Sequence, residues 1–185
     1  MHDYLDAKGS ILIACDRSGE VVGAGRTNFS SETSAISVYA DLYSMEYVGC
    51  DMHPAYTSIT TKFMVAPIYR CGTLSIRIAK LLYENAYSHG ICYDFIDCNP
   101  HLEKYFHGLG YKTYRERIQH AEYGDVMPML LDLHDIAYLK SVSSPLIASY
   151  MALQKLNATE AKSPFTTLLL RENNTDTIER LSTND

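Results

Sequence analysis

The residues with the clearest chemical potential lie in a short turn, Tyr69 to Thr73, which has the sequence YRCGT. Before it, Thr57 to Val65 alternates and is rich in β-branched residues, a pattern that predicts a half-buried strand. After it, Leu74 to Gly90 has a 3.6-residue apolar period that predicts a helix. A glycine- and arginine-containing loop that opens a helix directs backbone N–H groups and the helix dipole towards one point. That point suits an anion such as a phosphate.

A second strand is predicted from Ile91 to Asp97, so the helix becomes the crossover of a βαβ unit. The string DCNPHL follows at residues 97–102, at the carboxyl end of that strand, where open α/β sheets bind ligands. A strand, a turn and a helix with one glycine and one arginine are common in α/β proteins. An exposed arginine beside a turn glycine therefore remains the alternative interpretation of the loop.

Both segments resemble the GNAT superfamily of N-acyltransferases. In that superfamily the loop before this helix holds the pyrophosphate or phosphopantetheine of an acyl donor, and Tyr69 to Leu74 would be that loop here. The match is imperfect, because Tyr69 takes the place of the usual Gln or Arg and Arg70 is one residue out of register. The likeness resumes from Asn99 to Tyr111.

One branch of the superfamily resembles the chain more closely, namely the acyl-homoserine-lactone synthases and the long-chain N-acyl amino acid synthases. Its members share the Asp-Cys-x-Pro-His-Leu string at 97–102, a Pro-Met-x-Leu-Asp run at 128–132 and an arginine where Arg26 stands. The resemblance implies an α/β fold with a central mixed, mostly antiparallel twisted sheet flanked by helices. Members carry further helices and a strand before the point where this chain begins, so we expect the chain to lack those N-terminal elements.

The resemblance and the local patterns together predict the organisation of the chain. A GNAT-like acyltransferase domain is expected over residues 1–156, followed by a polar, partly disordered C-terminal extension over residues 157–185. Hairpins are predicted from Ile11 to Arg26 and from Lys112 to Leu133.

The resemblance also implies the acyl donor, a pantetheine thioester carried by an acyl carrier protein or by coenzyme A. A backbone N–H near Val65 would stabilise the thioester oxyanion. Transfer to the amine would be direct, with no acyl-enzyme, no tightly bound cofactor and no metal, so Cys98 is predicted to be a buried small residue. The residues expected to bind the pantetheine amides and phosphate are Met64, Val65, Ala66, Arg70, Cys71, Gly72, Thr73 and Leu74.

The expected acceptor is a primary amine such as an amino acid, which arrives as an ammonium ion and must lose a proton. His101 is the preferred base, because the start of a helix keeps an imidazole neutral and therefore able to accept a proton. Glu46 is the second candidate, and substrate-binding roles are predicted for Arg26, His53 and Tyr105. In the alternative interpretation, His101 only hydrogen-bonds the first turn of its helix, and the others are ordinary helix, loop or surface residues.

Two helical segments bear on these assignments. Residues 40–47 are predicted to form a helix with Leu42, Met45 and Tyr47 directed inward. Phe106 stands where many GNAT enzymes have a tyrosine that protonates the leaving thiolate, and the adjacent Tyr105 would point about 100° away on a helix. A thiolate with a pKa near 8.5 needs little acid assistance, so the mechanism does not depend on that tyrosine.

Two other functions remain open. The chain could be a non-catalytic GNAT-like module that binds acyl carrier protein or acyl-coenzyme A. It could also be an autoinducer-type synthase acting on S-adenosylmethionine, although Ile59 to Phe63 reads ITTKF where that group has a Trp-Glu-x-x-Arg-Phe-like string.

The composition excludes several other functional classes of protein. A formal net charge of −6 argues against general binding to nucleic acid or to anionic membranes. The 5 cysteines include no CxxC pair and the sequence shows no signal peptide, which predicts a reduced cytoplasmic protein without a zinc site. No apolar run approaches the roughly 18 residues that a membrane-spanning helix needs. The chain could form a homodimer.

Overall fold

A computed structural model of the 185-residue chain describes residues 5–32, 37–120 and 123–160. The chain divides into two compact units, Met1–Ser149 and Tyr150–Asp185. The sheet and the candidate site belong to the first unit, and residues 150–160 of the second are helical. The predicted disorder of the extension concerns mainly residues 161–185, which lie outside the described part of the chain.

In the described ranges, seven strands form a sheet in the order β1-β2-β3-β4-β7-β5, and β6 also pairs with β7. Every neighbouring pair is antiparallel except β3 and β4, which are parallel. This confirms the predicted mixed, mostly antiparallel sheet. The strands are β1 (Ser10–Cys15), β2 (Val21–Phe29), β3 (Thr57–Val65), β4 (Tyr93–Cys98), β5 (Lys112–Thr113), β6 (Ile118–His120) and β7 (Gly124–Asp132).

Helices flank the sheet, and the longest in the first unit is the crossover between β3 and β4. A 3₁₀ turn, Pro67–Tyr69, follows β3, and a second, Pro100–Leu102, follows β4. The α-helices are α1 (Ser37–Tyr43), α2 (Met45–Gly49), α3 (Leu74–Ser88), α4 (Glu103–Leu109), α5 (Ile136–Ser141) and α6 (Ile147–Glu160).

The hairpin β1–β2 is closed by the side chain of Asp16. Its Oδ1 atom accepts hydrogen bonds from the backbone N–H of Ser18 at 2.8 Å and of Glu20 at 3.1 Å. Gly19 has a φ of +87°, which a residue without a Cβ adopts at little cost. The predicted first hairpin is therefore confirmed.

Helix α3 packs closely on the sheet because β2 carries two glycines beneath it. A Cβ on Gly23 would lie 2.6 Å from Cδ1 of Ile78, and a Cβ on Gly25 would lie 2.7 Å from Cδ1 of Leu82. Even a Cβ at either position would force the end of the Ile78 or Leu82 side chain to shift. The string VVGAGR thus sets the distance between helix and sheet.

The predicted helix over residues 40–47 is interrupted. Ser44 adopts a left-handed conformation with φ 52° and ψ 43°, so α1 ends at Tyr43 and α2 starts at Met45 with a new phase. Met45 is buried as expected, but Tyr43 is buried at 1 % exposure and Tyr47 is 85 % exposed. The prediction that Tyr47 faces inward was wrong because a continuous helix was assumed.

Two strand boundaries also differ from the predictions. Ile91 precedes β4 instead of starting it, because its N–H donates to the carbonyl of Ala86 and closes α3 behind Gly90, which has a φ of +72°. The predicted strand Lys112 to His120 divides into β5 and β6. The division falls where the Tyr114 hydroxyl donates to the carbonyl of Tyr43 at 2.8 Å and Arg115 Nη1 donates to the carbonyl of Leu42 at 2.9 Å.

Candidate active site

The sheet opens between its two parallel strands. Only three residue pairs join them, Thr57 with Tyr93, Ser58 with Asp94 and Ile59 with Phe95. Beyond these pairs β3 continues to Val65 and β4 continues to Cys98 without pairing to each other. The two strands therefore diverge, and the cleft between them has a volume of about 270 Å³.

The cleft is lined from several elements of the first unit. Strand β3 forms one wall, and the end of β4 forms the other. The described lining residues are Arg26, Tyr39, Tyr43, Thr60, Thr61, Lys62, Phe63, Met64, Ile96, Asp97, Cys98, Asn99, Leu102, Phe106, His120, Tyr123 and Val126.

The β3 wall contains a β-bulge. The register between β2 and β3 shifts between Ala24 and Arg26, and Lys62 has a φ of 52°, a left-handed conformation that is uncommon for a residue with a Cβ. Bulges of this kind leave one residue unpaired and redirect the backbone, often beside active sites. Here the bulge lies on the wall of the cleft.

A compact ion cluster stands behind the bulge. Asp6 Oδ1 accepts hydrogen bonds from Arg26 Nη1 at 2.5 Å and from Lys62 Nζ at 2.8 Å. Arg26 Nε also donates to Thr61 Oγ1 at 2.9 Å, and Arg26 is only 1 % exposed. These charged hydrogen bonds hold β2 against β3, because Arg26 belongs to β2 while Thr61 and Lys62 belong to β3. Asp6 neutralises part of the positive charge that Arg26 and Lys62 bring to the cleft.

The β4 wall carries Asp97. Burial raises the pKa of Asp97, while Tyr43 and His120 act in the opposite direction. Burial, and secondly the charge of Asp97, raises the pKa of the Tyr43 hydroxyl. The two side chains are neighbours, because Tyr43 lowers the pKa of Asp97 and Asp97 raises that of Tyr43. Asp97 Oδ2 and Tyr43 Oη are nevertheless both buried without a hydrogen bond of 3.5 Å or less to any described residue.

The adjacent cysteine, Cys98, is an unreactive thiol. Cys98 is 5 % exposed, and its Sγ lies 3.6 Å from Sδ of Met129. Burial raises the pKa of the Cys98 thiol to about 12, so it carries little thiolate near neutral pH.

Stacked rings continue the site from α1 to the β6–β7 hairpin. We call Tyr43, Tyr39, His120 and Tyr123 the aromatic wall. The ring centroids of Tyr43 and Tyr39 are 5.9 Å apart, those of Tyr39 and His120 are 6.4 Å apart, and those of His120 and Tyr123 are 4.7 Å apart. All four residues line the cleft.

The predicted donor loop lies between the end of β3 and the start of α3. Thr73 occupies the N-cap position, but its side chain makes no capping hydrogen bond. Gly72 is exposed, and a Cβ there would meet nothing closer than the Tyr69 carbonyl oxygen at 3.5 Å. The fold itself therefore does not require glycine at this position.

Two of the backbone groups expected to meet the donor already have partners. The Ala66 N–H donates to the Val22 carbonyl at 2.9 Å. The Val65 carbonyl accepts from Arg70 Nε at 3.0 Å, so the Arg70 guanidinium lies against the end of β3.

The structure brings some of the predicted substrate-binding and catalytic residues together and not others. Arg26 and Met64 line the cleft. His101 is exposed in the 3₁₀ turn after β4. Asn99 and Leu102 on either side of it line the cleft, but His101 is not among the described lining residues. Glu46 is exposed on α2, and it too is absent from that set.

His53 and Tyr105 also stand apart from the described lining of the cleft. His53 Nδ1 is 2.9 Å from Thr57 Oγ1, and burial lowers its pKa against the opposing effect of Glu46. The Tyr105 ring packs against Phe63, with centroids 6.4 Å apart, and burial raises the pKa of its hydroxyl.

Sequence reasoning missed several polar and aromatic residues of the cleft, among them Asp97, Tyr43, Lys62 and His120. Asp97 was identified only as the end of a strand and the first residue of the string DCNPHL, and Tyr43 was not among the helix residues predicted to face inward. Lys62 reaches the cleft from the bulge, where its backbone is left-handed, and His120 reaches it from the end of β6. The one available signal was Asp97 itself, a charged residue ending an otherwise apolar strand.

A parallel strand pair that diverges inside a mostly antiparallel sheet matches the GNAT-like fold predicted from the sequence, and this chain has that fold. The solved structures that resemble it include autoinducer synthases. The CoA-dependent acyl-homoserine lactone synthase MesI is 23% identical with a TM-score of 0.56, and the match covers 77% of this chain and 73% of that chain. The related synthase BjaI, solved with MTA, is 19% identical with a TM-score of 0.56, covering 80% and 70% of the two chains.

FeeM, an N-acyl amino acid synthase from uncultured soil microbes, is 12% identical with a TM-score of 0.57, and the match covers 71% of this chain and 77% of that chain. At these identities the likeness establishes the fold. No protein-family model matches the chain, and a sequence search of curated proteins found no match.

Two further observations concern the described residues alone. No group of three or more His, Cys, Asp and Glu side chains among them is arranged to hold a metal ion. None of their helices combines the length and apolar character that a membrane crossing requires.

Proposed function

We propose that this protein is an N-acyltransferase that moves an acyl group from a pantetheine thioester to a primary amine. The observation that carries the proposal is the cleft between β3 and β4, with the start of α3 at its β3 end. A strand that leaves its neighbour exposes a row of backbone N–H and C=O groups, with which an extended amide-bearing molecule can pair. Pantetheine is such a molecule.

The start of α3 supports the same proposal for the donor phosphate. The first N–H groups of a helix lack intrahelical partners, and the Thr73 side chain does not satisfy them. Gly72 has no side chain that would block an approaching anion. The donor is an acyl carrier protein or coenzyme A; MesI and BjaI are described as CoA-dependent, and BjaI has been solved with isopentyl-CoA.

The chemistry is direct transfer. The amine nitrogen attacks the thioester carbon, the C–N bond forms, the C–S bond breaks, and the sulfur leaves with the electron pair and then takes a proton. The N–H that stabilises the oxyanion was expected near Val65. We place it instead a few residues earlier, at the β3 bulge around Lys62, because Val65 is paired with Gly23 of β2. Cys98 takes no part, because its raised pKa keeps the thiol protonated. His53 and Tyr105 keep their predicted substrate-binding roles as proposals. His101 and Glu46, which the described lining of the cleft does not include, stay proposed as the base for the case that substitution of Asp97 leaves the transfer rate unchanged.

The test is an assay of thiol release with purified full-length protein. Acyl-coenzyme A and acylated carrier protein are each incubated with mixed amino acids and simple amines, and products are identified by mass spectrometry. The proposal expects thiol release that requires the amine and yields an acylated amine. Binding of the donor without release would favour a non-catalytic module, and a lactone formed only with S-adenosylmethionine would favour an autoinducer synthase.

A further inference from the structure

We propose that Asp97 and Tyr43 bind the ammonium group of the acceptor and that Asp97 takes the proton that the nitrogen loses. The inference deepens the proposed function and rests on it for the transfer step. It assigns the acceptor as a primary amine carried on an apolar, preferably aromatic, group.

The first argument is the state of two buried polar atoms. Asp97 Oδ2 and Tyr43 Oη are buried without hydrogen-bond partners among the described residues, although they come from different elements and line the same cleft. Buried polar atoms in native proteins are almost always paired, so each exception requires an explanation. The two groups are close enough for Tyr43 to lower the pKa of Asp97, yet neither buried atom has a hydrogen bond of 3.5 Å or less, and a ligand that donates to both oxygens would fill that gap.

The second argument is chemical complementarity. An alkylammonium ion offers three N–H donors and one positive charge, which a carboxylate and a phenolic oxygen can accept. Aromatic faces attract cations, and the aromatic wall provides four rings beside Asp97. The same rings give an apolar surface for the group that carries the nitrogen.

The third argument is the position of the other charges around Asp97. The titratable groups that interact with it are Tyr43 from α1, His120 from β6, Tyr114 between β5 and β6 and the adjacent Cys98, and Tyr39 lines the same cleft. On the opposite wall, the cations Arg26 and Lys62 contact Asp6. Asp97 is thus the anionic group of the β4 wall among the described lining residues.

The proton transfer completes the reaction. An N–H bond of the ammonium breaks and its proton passes to the Asp97 carboxylate, which leaves a neutral amine with a lone pair for attack. As the amide forms and the C–S bond breaks, a second nitrogen proton passes to the thiolate, and Asp97 later returns its proton to water. Burial raises the pKa of Asp97, which makes the carboxylate a better proton acceptor than an exposed one.

Equilibrium binding tests the site without any need for turnover. Calorimetry compares phenethylamine, L-phenylalanine and 2-phenylethanol, with pantetheine 4′-phosphate present, on the wild type, Asp97→Asn and Tyr43→Phe. Asp125→Asn is the control, because Asp125 is exposed on β7 and undergoes the same change of charge. Phenethylamine and L-phenylalanine both carry the ammonium, and their comparison reports whether the acceptor also needs a carboxylate.

The expected result is that at least one of the two ammonium ligands binds the wild type at least tenfold more tightly than the alcohol. Asp97→Asn should remove that difference, Tyr43→Phe should reduce it several-fold, and Asp125→Asn should leave it unchanged. Equal binding of amine and alcohol, or an Asp97→Asn protein that keeps the difference, would overturn the proposal. If Asp97→Asn does not fold, two other results test the proposal. Tyr43→Phe should reduce the preference for amine over alcohol, and the wild type should lose amine binding at acidic pH; absence of both effects would overturn the proposal.

The failure of this inference is separable from failure of the proposed function. If ammonium binding depends on Asp97 but no thiol is released, the proposed acyltransferase function is wrong and the proposed ammonium-binding site stands. Thiol release that Asp97→Asn slows by less than about threefold would keep the acyltransferase and exclude Asp97 as the proton acceptor.

Discussion

Two aspartates of β4, three residues apart, show how surroundings decide the role of a side chain. Asp94 accepts hydrogen bonds from Ser58 Oγ at 2.6 Å, Thr60 Oγ1 at 3.1 Å and Tyr111 Oη at 2.6 Å. Asp97 has a buried oxygen without a partner among the described residues. The first is an element of the core, whereas the second is available for a ligand.

The contrast predicts opposite effects on stability. Asp94→Ala should lower the free energy of unfolding by about 2–4 kcal/mol, because three buried hydroxyl groups lose their acceptor. Asp97→Asn should leave it equal or higher at pH 7. Burial raises the pKa of Asp97, so the stability contributed by its protonated form is lost as pH rises through the folded pKa.

Denaturant unfolding between pH 4 and pH 8 measures both effects. The gap between Asp97→Asn and the wild type should be widest at pH 8 and should narrow towards pH 4. An Asp97→Asn protein that is less stable than the wild type by more than about 2 kcal/mol at pH 7 would mean that Asp97 is structural.

Gly72 allows a sharp test of the donor loop. Gly72→Val should raise the donor KM about tenfold or more with little loss of stability, since the fold leaves room for the Cβ but a bound phosphate would not. Gly108→Val on α4 is the control, because a Cβ there meets no atom within 4 Å and the position lies outside the donor loop. Donor kinetics that are identical in the two folded variants would remove the phosphate from this loop.

At the scale of elements, the contact between β2 and α3 depends on the absence of side chains. Gly23→Ala should lower the free energy of unfolding by about 1–3 kcal/mol, because its Cβ would lie 2.6 Å from Ile78 Cδ1 and 3.3 Å from the Met64 carbonyl oxygen. Chemical denaturation measures the loss. Gly108→Ala should instead stabilise the protein by up to about 1 kcal/mol, and an equal effect of both changes would contradict the steric explanation.

The same scale explains how much could be predicted from the sequence. The strand–helix–strand unit around α3, the first hairpin and the mostly antiparallel sheet follow from periodicity and turn residues, which are local signals. The break at Ser44 could not be predicted, because serine has no special preference for the left-handed conformation that it adopts. The division of β5 from β6 arises from hydrogen bonds of Tyr114 and Arg115 to carbonyls of α1, roughly 70 residues earlier.

The site was less predictable than the fold for the same reason. Gly72 and Arg70 could be located because they belong to one continuous turn. Asp97 and Tyr43 come from separate elements, and only the divergence of β3 and β4 and the break at Ser44 bring them to one cleft. The spacing of residues along the chain does not predict contacts between side chains of separate elements.

At the scale of the whole molecule, a cationic patch on an acidic chain favours an acidic partner. The chain has a formal net charge of −6, yet the donor loop and α3 carry Arg70, Arg77 and Lys80. Arg77→Glu should slow transfer from acyl carrier protein several-fold and weaken its salt dependence, because exposed charges act mainly on encounter. Transfer from a free pantetheine thioester should stay within about twofold.

Initial rates at several salt concentrations make this comparison. Arg17→Glu, in the turn between β1 and β2, is the control for the change of net charge. Equal slowing by Arg77→Glu with the carrier protein and with the free thioester would exclude a protein donor at this patch.

The three residue pairs that join β3 to β4 also shape how the molecule fluctuates. Within the described sheet, strand pairing joins β1-β2-β3 to β4-β7-β5 and β6 only there, beside the hydrogen bonds from Ser58 and Thr60 to Asp94. We therefore expect each side to form its own cooperative unit in hydrogen exchange. A donor lying in the cleft would bridge them. Amide protons of both sides should then slow together when donor is added, which would turn two exchange units into one.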